Sequence, residues 1–216
     1  MYQPPLFRQE DRERIHAVMR AHPFGLLITS GASGLLANGI PFFFDPAIGM
    51  HGVLRGHLAR ANGQWKDCGP EGIDALVVFQ GADSYVRPGW YETKRETGKV
   101  VPTWNYVMVQ ARGRARAIED EAWMRTQITD VTAHMERPRD APWAPGDAPE
   151  DFLRAQIKGI VGIEIMLTDL VGKWKTSQNR TEQDRKGVVE GLAAAEDERA
   201  RTMASLVAAT LPESKT

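Results

Sequence analysis

The stretch from Lys99 to Ile118, "KVVPTWNYVMVQARGRARAI", constrains the fold more than any other part of the chain. It reads as one long strand. Successive strand side chains point to opposite sides, so counting from Thr103 sorts the stretch into two faces. Thr103, Asn105, Val107, Val109, Ala111, Gly113, Ala115 and Ala117 share one face, which is small and mostly apolar. Trp104, Tyr106, Met108, Gln110, Arg112, Arg114 and Arg116 share the other, aromatic at one end and basic at the other. The small face is expected to pack inward. Something is expected to cover the aromatic end, and water, an anion or acidic side chains to meet the basic end.

The other apolar stretches give the partners of this strand. "PFGLLITS", "GLLANGIPFFFD", "HGVLRGH", "IDALVVFQG" and "GIVGIEIMLTDLVGKW" read as strands. Helical spacing marks Asp11 to Ala21, Asp120 to Met135 and "EDFLRAQIK", and "LARANGQWKDC" reads as a short helix. The stretch after Thr181 is helical, opened by a Thr-x-x-Asp cap and interrupted near Gly191. "ADSYVRPGWYETKRETG" reads as irregular. Consecutive strands with short links, without regular β-α alternation, imply an antiparallel barrel carrying helices. The expected class is mainly β with flanking helices (α+β). It forms one domain over 1–216, with the barrel from about Phe24 to Val171 and the C-terminal helices over about 181–211.

Composition narrows the function. A chain of 216 residues with 42% hydrophobic and 25% charged residues suits an ordinary soluble domain. A net charge of -1 lacks the global footprint of a nucleic-acid binder. The single cysteine, Cys68, leaves no internal disulfide and fits a reducing compartment. "MYQPPLFRQEDRERI" carries prolines and charges where a signal peptide has an apolar run, and no apolar run has membrane length. The expectation is a cytoplasmic protein without a membrane partner. No Walker A loop, G-x-S-x-G, HExxH or zinc-spaced cysteine pair occurs, and five scattered histidines give no metal site.

Three segments carry ligand chemistry. In "RGHLARANGQW" a strand is expected to end at His57 with a helix directly after it. A helix N-terminus offers free N–H groups and a positive dipole end, and the Arg60 guanidinium can fork onto a phosphate. The alternative is a solvated Arg60 with Asn62 as a cap. Tyr85, Trp90, Tyr91, Trp104 and Tyr106, interleaved with Pro, Gly, Thr and Asn, suit a lined cleft, with plain core packing as the alternative. "GKWKTSQNR" repeats that character, with a capped loop as the alternative.

Taken together, "HLARANGQW", "VVFQGADSYVRPGWYETK", "GKVVPTWNY", "IVGIEI" and "GKWKTSQNR" resemble the PaiB family, the FMN-binding negative transcriptional regulators. The resemblance runs in order along nearly the whole chain. It departs at Gly63, where the family motif carries Pro, and at Ala82 and Arg87, in a loop that reads more like Gly-Pro-Asp and Ser-Pro in the family. It implies an FMN-binding split β-barrel related to pyridoxamine phosphate oxidases and flavin reductases, and a homodimer with FMN in the groove between subunits. On that reading His57 and Arg60 meet the phosphate. Pro102, Thr103, Trp104 and Asn105 line the ring groove, and Trp174, Gln178 and Asn179 close it. DNA enters as a partner only through the resemblance, because Arg185, Lys186, Arg199 and Arg201 stand among Glu190, Glu196, Asp197 and Glu198. The alternative is a flavin-dependent oxidoreductase acting on a small molecule; heme on His57 or His51 is a third reading.

Overall fold

Burial along the long strand follows the two-face count: Asn105, Val107, Val109, Ala111, Gly113 and Ala115 are buried and the residues between them are not. The computed structural model describes residues 1–32, 34–69 and 71–212. Its strands are β1 (Arg8–Gln9), β2 (Phe24–Gly31), β3 (Gly34–Pro41), β4 (Phe43–Asp45), β5 (Val53–Ala59), β6 (Ile73–Val86), β7 (Thr103–Ile118) and β8 (Ile160–Lys175). Its helices are α1 (Arg12–Ala21), α2 (Gln64–Asp67), α3 (Glu92–Thr97), α4 (Glu121–Glu136), α5 (Glu150–Lys158), α6 (Glu182–Ala193) and α7 (Glu198–Ala208). The strands join one sheet in the order β3-β2-β6-β7-β8-β5-β4, with β1 beside β8. The pairs β1–β8, β2–β3, β2–β6, β4–β5 and β5–β8 are antiparallel. This is the expected antiparallel, mainly β fold with flanking helices.

The chain parts into two compact units: Met1–Ile15, Gln80–Val109 and Val171–Thr216 form the first, and His16–Phe79 with Gln110–Leu170 the second. In the second unit, β3 and β4 stand at opposite ends of the pairing order yet are separated in sequence by Phe42 alone. The sheet must therefore curl until its ends meet. Phe42 is buried, its N–H donates to Pro23 O at 2.8 Å, and its ring meets Phe79 edge-on at 6.1 Å. Leu27, Leu54, Val77, Ile163 and Ile165 fill the interior. The basic end of β7 meets acidic side chains, as one of the expectations had it. Arg112 pairs with Asp169 at 3.4 Å, Arg114 with Asp74 at 3.3 Å and Arg116 with Glu164 at 2.9 Å.

In the first unit, α6 and α7 bury Val188, Leu192, Met203 and Val207 together with Val86 and Tyr91. Thr181 Oγ1 accepts the Asp184 N–H, which is the expected cap.

Several boundaries differ from the sequence reading. "GLLANGIPFFFD" makes two strands, because the chain turns from one end of the sheet to the other at Phe42. The long strand opens at Thr103, after Pro102, which has no N–H for a ladder. β6 continues through "ADSYV", since Ala82 and Val86 sustain a buried face beyond Gly81. β5 runs past His57 to Ala59, held by its pairing to Ile160, so no helix starts at Leu58 and α2 is a single turn. The C-terminal helix breaks after Ala193, two residues beyond Gly191.

Gly191 lies inside α6 for a packing reason: a Cβ there would overlap the ring of Trp90. Gly→Ala in a helix interior ordinarily gains up to about 1 kcal/mol. Here the steric term is expected to win, at about 1–3 kcal/mol. Gly191→Ala should lower the urea midpoint; a raised midpoint would show that Trp90 moves aside freely.

Candidate functional site

The first unit carries a cleft of about 460 Å³, lined by Met1, Tyr2, Gln80, Asp83, Trp104, Tyr106, Met108 and Lys173. Parity puts Trp104, Tyr106 and Met108 on the outward face of β7, so this wall is the aromatic end noted in the sequence. Trp104 stays 49% exposed, and its Nε1–H donates to Asp83 at 2.8 Å. Asp83 also faces the Arg199 guanidinium at 3.8 Å. Lys173 is only 7% exposed. Its Nζ donates to Tyr2 O at 3.0 Å and lies over the rings of Tyr106 (5.3 Å) and Tyr2 (5.5 Å).

A polar cluster joins the start of β7 to the turn after β8. Lys175 Nζ donates to Thr103 Oγ1 and to Trp104 O. Asn105 is fully buried; its Nδ2 donates to Ser177 Oγ at 2.8 Å, while its Oδ1 has no partner among the described residues. Ser177 has φ 65°, the one non-glycine residue with positive φ among those described. Such a conformation costs of order 1–3 kcal/mol and persists where neighbours impose it. Gln178 holds the turn: its Oε1 accepts the Thr176 N–H at 2.7 Å and its Nε2 donates to Trp174 O at 2.7 Å. Arg180 lies over the Tyr91 ring at 4.5 Å.

Three cations therefore stand close in sequence, and among the described residues no carboxylate comes within ion-pair distance of Lys173, Lys175 or Arg180. Burial first, then Lys173 and Arg180, pull the Lys175 ammonium below the ordinary lysine range. The group suits an anion, which would offset both the burial and the mutual repulsion.

The structure thus links Thr103, Trp104, Asn105, Trp174 and Gln178 through Lys175 and Ser177. Pro102 and Asn179 are exposed at the two ends of this cluster. Lys173, Lys175 and Asp83 were not singled out in the sequence. The signal for the lysines is their spacing: "KWK" puts two cations on one face of a strand, within a stretch that carries no acidic residue between Asp169 and Glu182.

The second unit holds the other two candidates. His57 Nδ1 lies 2.8 Å from Gln127 Oε1, within hydrogen-bond distance. Gln127 is buried and its Nε2 has no partner among the described residues. Arg60 is engaged on three sides: Nε to Lys158 O at 2.9 Å, Nη2 to Ile160 O at 3.2 Å, and Nη1 to Glu119. Its own N–H donates to Gly159 O at 2.8 Å, so the expected row of free helix N–H groups is not formed. "ANGQW" does structural work instead. Asn62 Oδ1 accepts the Gln64 N–H, and the buried Gln64 side chain donates to Thr29 Oγ1 at 3.0 Å and accepts from Asn38 Nδ2 at 2.8 Å.

A family profile described as "Putative FMN-binding domain" matches residues 1–169. Protease synthase and sporulation protein PAI 2 of Bacillus subtilis is 32% identical over 210 residues, covering 96% of both chains, and so takes in the Lys173–Arg180 stretch as well. An uncharacterised protein of Aspergillus fumigatus is 34% identical over 219 residues, with 81% of this chain and 84% of that one covered. Among solved structures, the FAD and heme binding protein from Mycobacterium smegmatis superposes with a TM-score of 0.56 at 15% identity, over 78% of this chain and 73% of that one. That likeness concerns the fold. The protein is thus an FMN-binding protein of the split-barrel class. More narrowly, the chain belongs to the PaiB-like family of FMN-binding domains, and FMN is its cofactor.

The residues present fit that cofactor. FMN brings a phosphate dianion and a flat ring with one N–H donor and several acceptors. The first unit offers aromatic walls and, among the described residues, cations without counter-ions and an unpartnered Asn105 Oδ1.

Cys68, at the end of α2, is fully buried, and burial with help from Asp67 pushes its thiol from 9.0 up to about 11. A raised thiol pKa means the folded state keeps its proton longer than the unfolded chain. The associated stability is complete below pH 9 and is lost as pH rises toward about 11. The native protein should therefore resist a thiol reagent at pH 8 and react fully once unfolded, and Cys68→Ala should flatten the alkaline loss of stability. Rapid native labelling would contradict the burial.

Proposed function

We propose that this protein is a PaiB-like FMN-binding homodimer in which the flavin is held by Thr103, Trp104, Asn105, Trp174, Gln178 and Asn179, with Pro102 at the mouth. The observation that carries this is the group of three cations around the Ser177 turn, which have no carboxylate partner among the described residues. FMN, when bound, supplies the redox chemistry. The chain's part is to bind, orient and shield. Lys175 and Arg180 neutralise an anionic group, Ser177 fixes the Asn105 amide, and Trp104 and Tyr106 exclude water. His57 and Arg60 are proposed for the phosphate on the family resemblance; Arg60 then has to exchange Glu119 for the phosphate.

A second copy gives the exposed apolar side chains of the β2–β3 hairpin a place: Phe24 is 69% exposed and Leu35 75%. A cytoplasmic, reducing compartment agrees with the lone buried cysteine, and the one continuous sheet is compatible with a single domain. The regulatory role is proposed from the family, with DNA as the partner. It draws no support from the C-terminal helices. Lys186 pairs with Glu182, Arg185 donates to Thr210, and Arg201 donates to Ala195 O and Glu196 O. The alternative, a flavin-dependent oxidoreductase, predicts bleaching of the bound flavin by NADPH.

Titration of the flavin-free protein with FMN and with riboflavin tests the site. Lys175→Met should weaken FMN by about 1.5–3 kcal/mol, the scale of hydrogen bonds to charged groups. An equal loss for riboflavin assigns Lys175 to the ring, and a loss for FMN alone assigns it to the phosphate. Arg60→Ala, measured in the same way, tests the phosphate arm. Unchanged affinity in both variants, with the fold intact, would remove this assignment, and a monomer in sedimentation would remove the dimer.

A further inference from the structure

The cleft beside Trp104 holds Lys173, the one member of the three-cation group to which the flavin assignment gives no contact. Lys173 is nine-tenths buried, faces two aromatic rings and, among the described residues, engages a single acceptor, the Tyr2 carbonyl. An ammonium has three donors, so two remain. A buried charge without a counter-ion is unfavourable, and the rings offset only part of that. Asp83, the carboxylate on the same wall, does not serve: it binds Trp104 Nε1 and faces Arg199, and it is not within ion-pair distance of Lys173. The remaining side chains of the lining are aromatic, thioether or amide, and about 460 Å³ lies within the range of small-molecule sites.

We propose that this cleft binds a flat aromatic monoanion, a carboxylate on a fused ring system, with Lys173 taking the carboxylate and Trp104, Tyr106 and Met108 taking the ring. Asp83 sets the limit of one negative charge, because a second would meet its carboxylate. The ring face selects planar over branched ligands, since offset stacking and thioether contacts need a flat partner. This goes beyond flavin binding and does not require it. If Trp104 also walls the flavin, the ligand lies beside the cofactor, as a small-molecule substrate would.

The isoalloxazine ring is itself flat and can carry an anionic edge, so the experiment separates the two sources. Calorimetry on the full chain, flavin-free and then FMN-saturated, uses 2-naphthoate and its neutral isostere 2-naphthamide. The flavin-free protein should prefer the acid by at least about tenfold. Lys173→Met should abolish that preference and leave amide binding in place, and Lys173→Arg should restore it. Lys173 also ties down Tyr2, so Tyr106→Leu, which keeps the cation, gives a second measure and should weaken acid and amide by similar factors. Naphthoate binding retained under saturating FMN supports a site separate from the cofactor. Equal binding of acid and amide, a preference that survives Lys173→Met, or one-for-one displacement of naphthoate by FMN would each overturn the proposal.

Discussion

One residue, Phe42, forces the geometry of the second unit. The strands on either side of it lie at opposite ends of the pairing order, and a single residue cannot span a flat sheet of that width. Curling is therefore built into the connectivity and does not depend on accumulated twist alone. The interior has to be filled by small residues where strands cross closely, and β7 supplies them. A Cβ at Gly113 would overlap the Met166 carbonyl, and Ala111 and Ala115 beside it are fully buried. The same parity sends the large side chains of β7 outward, where they form the cleft wall at one end and the arginine ladder at the other.

The two ends of that outward face are treated oppositely. Arg112, Arg114 and Arg116 each have an acidic partner, and Glu164 serves both Arg116 and Arg55. The Arg112 and Arg114 pairs are exposed on both sides and contribute little to stability, whereas the Glu164 carboxylate is mostly buried between its two arginines. Near the aromatic end, Lys173, Lys175 and Arg180 have none among the described residues. A chain with 27 basic and 28 acidic residues looks balanced as a whole. The balance is achieved by clustering, and the unneutralised group marks where a ligand can do electrostatic work.

Much of the fold was legible because it rests on local periodicity. Alternation gave both faces of β7, helical spacing gave α4 and α5, and the Thr181 cap marked the start of α6. What was not legible depends on distant partners. Nothing local tells β5 to continue to Ala59; its pairing with Ile160 does. Nothing local separates Phe42 from the strands it joins. The site divides similarly. Thr103, Trp104, Asn105, Trp174 and Gln178 were readable from motif character. The lysines that tie them together were not, because a lysine in a strand usually reads as a solvated edge. Whether Arg60 was free or engaged could not be read either, since its partners Glu119, Lys158 and Ile160 come from distant parts of the sequence.

The cleft has an unusual wall in the first two residues of the chain. Met1 lines it, and the Tyr2 carbonyl occupies one donor of its buried ammonium. These two residues lie some hundred positions from β7 in sequence, yet they shape the same cavity. The two contributions of Tyr2 are separable: its carbonyl belongs to the backbone and survives any substitution, whereas its ring over the ammonium does not. Side-chain size at position 2 therefore sets the width of the cleft while leaving the anchor of its cation in place.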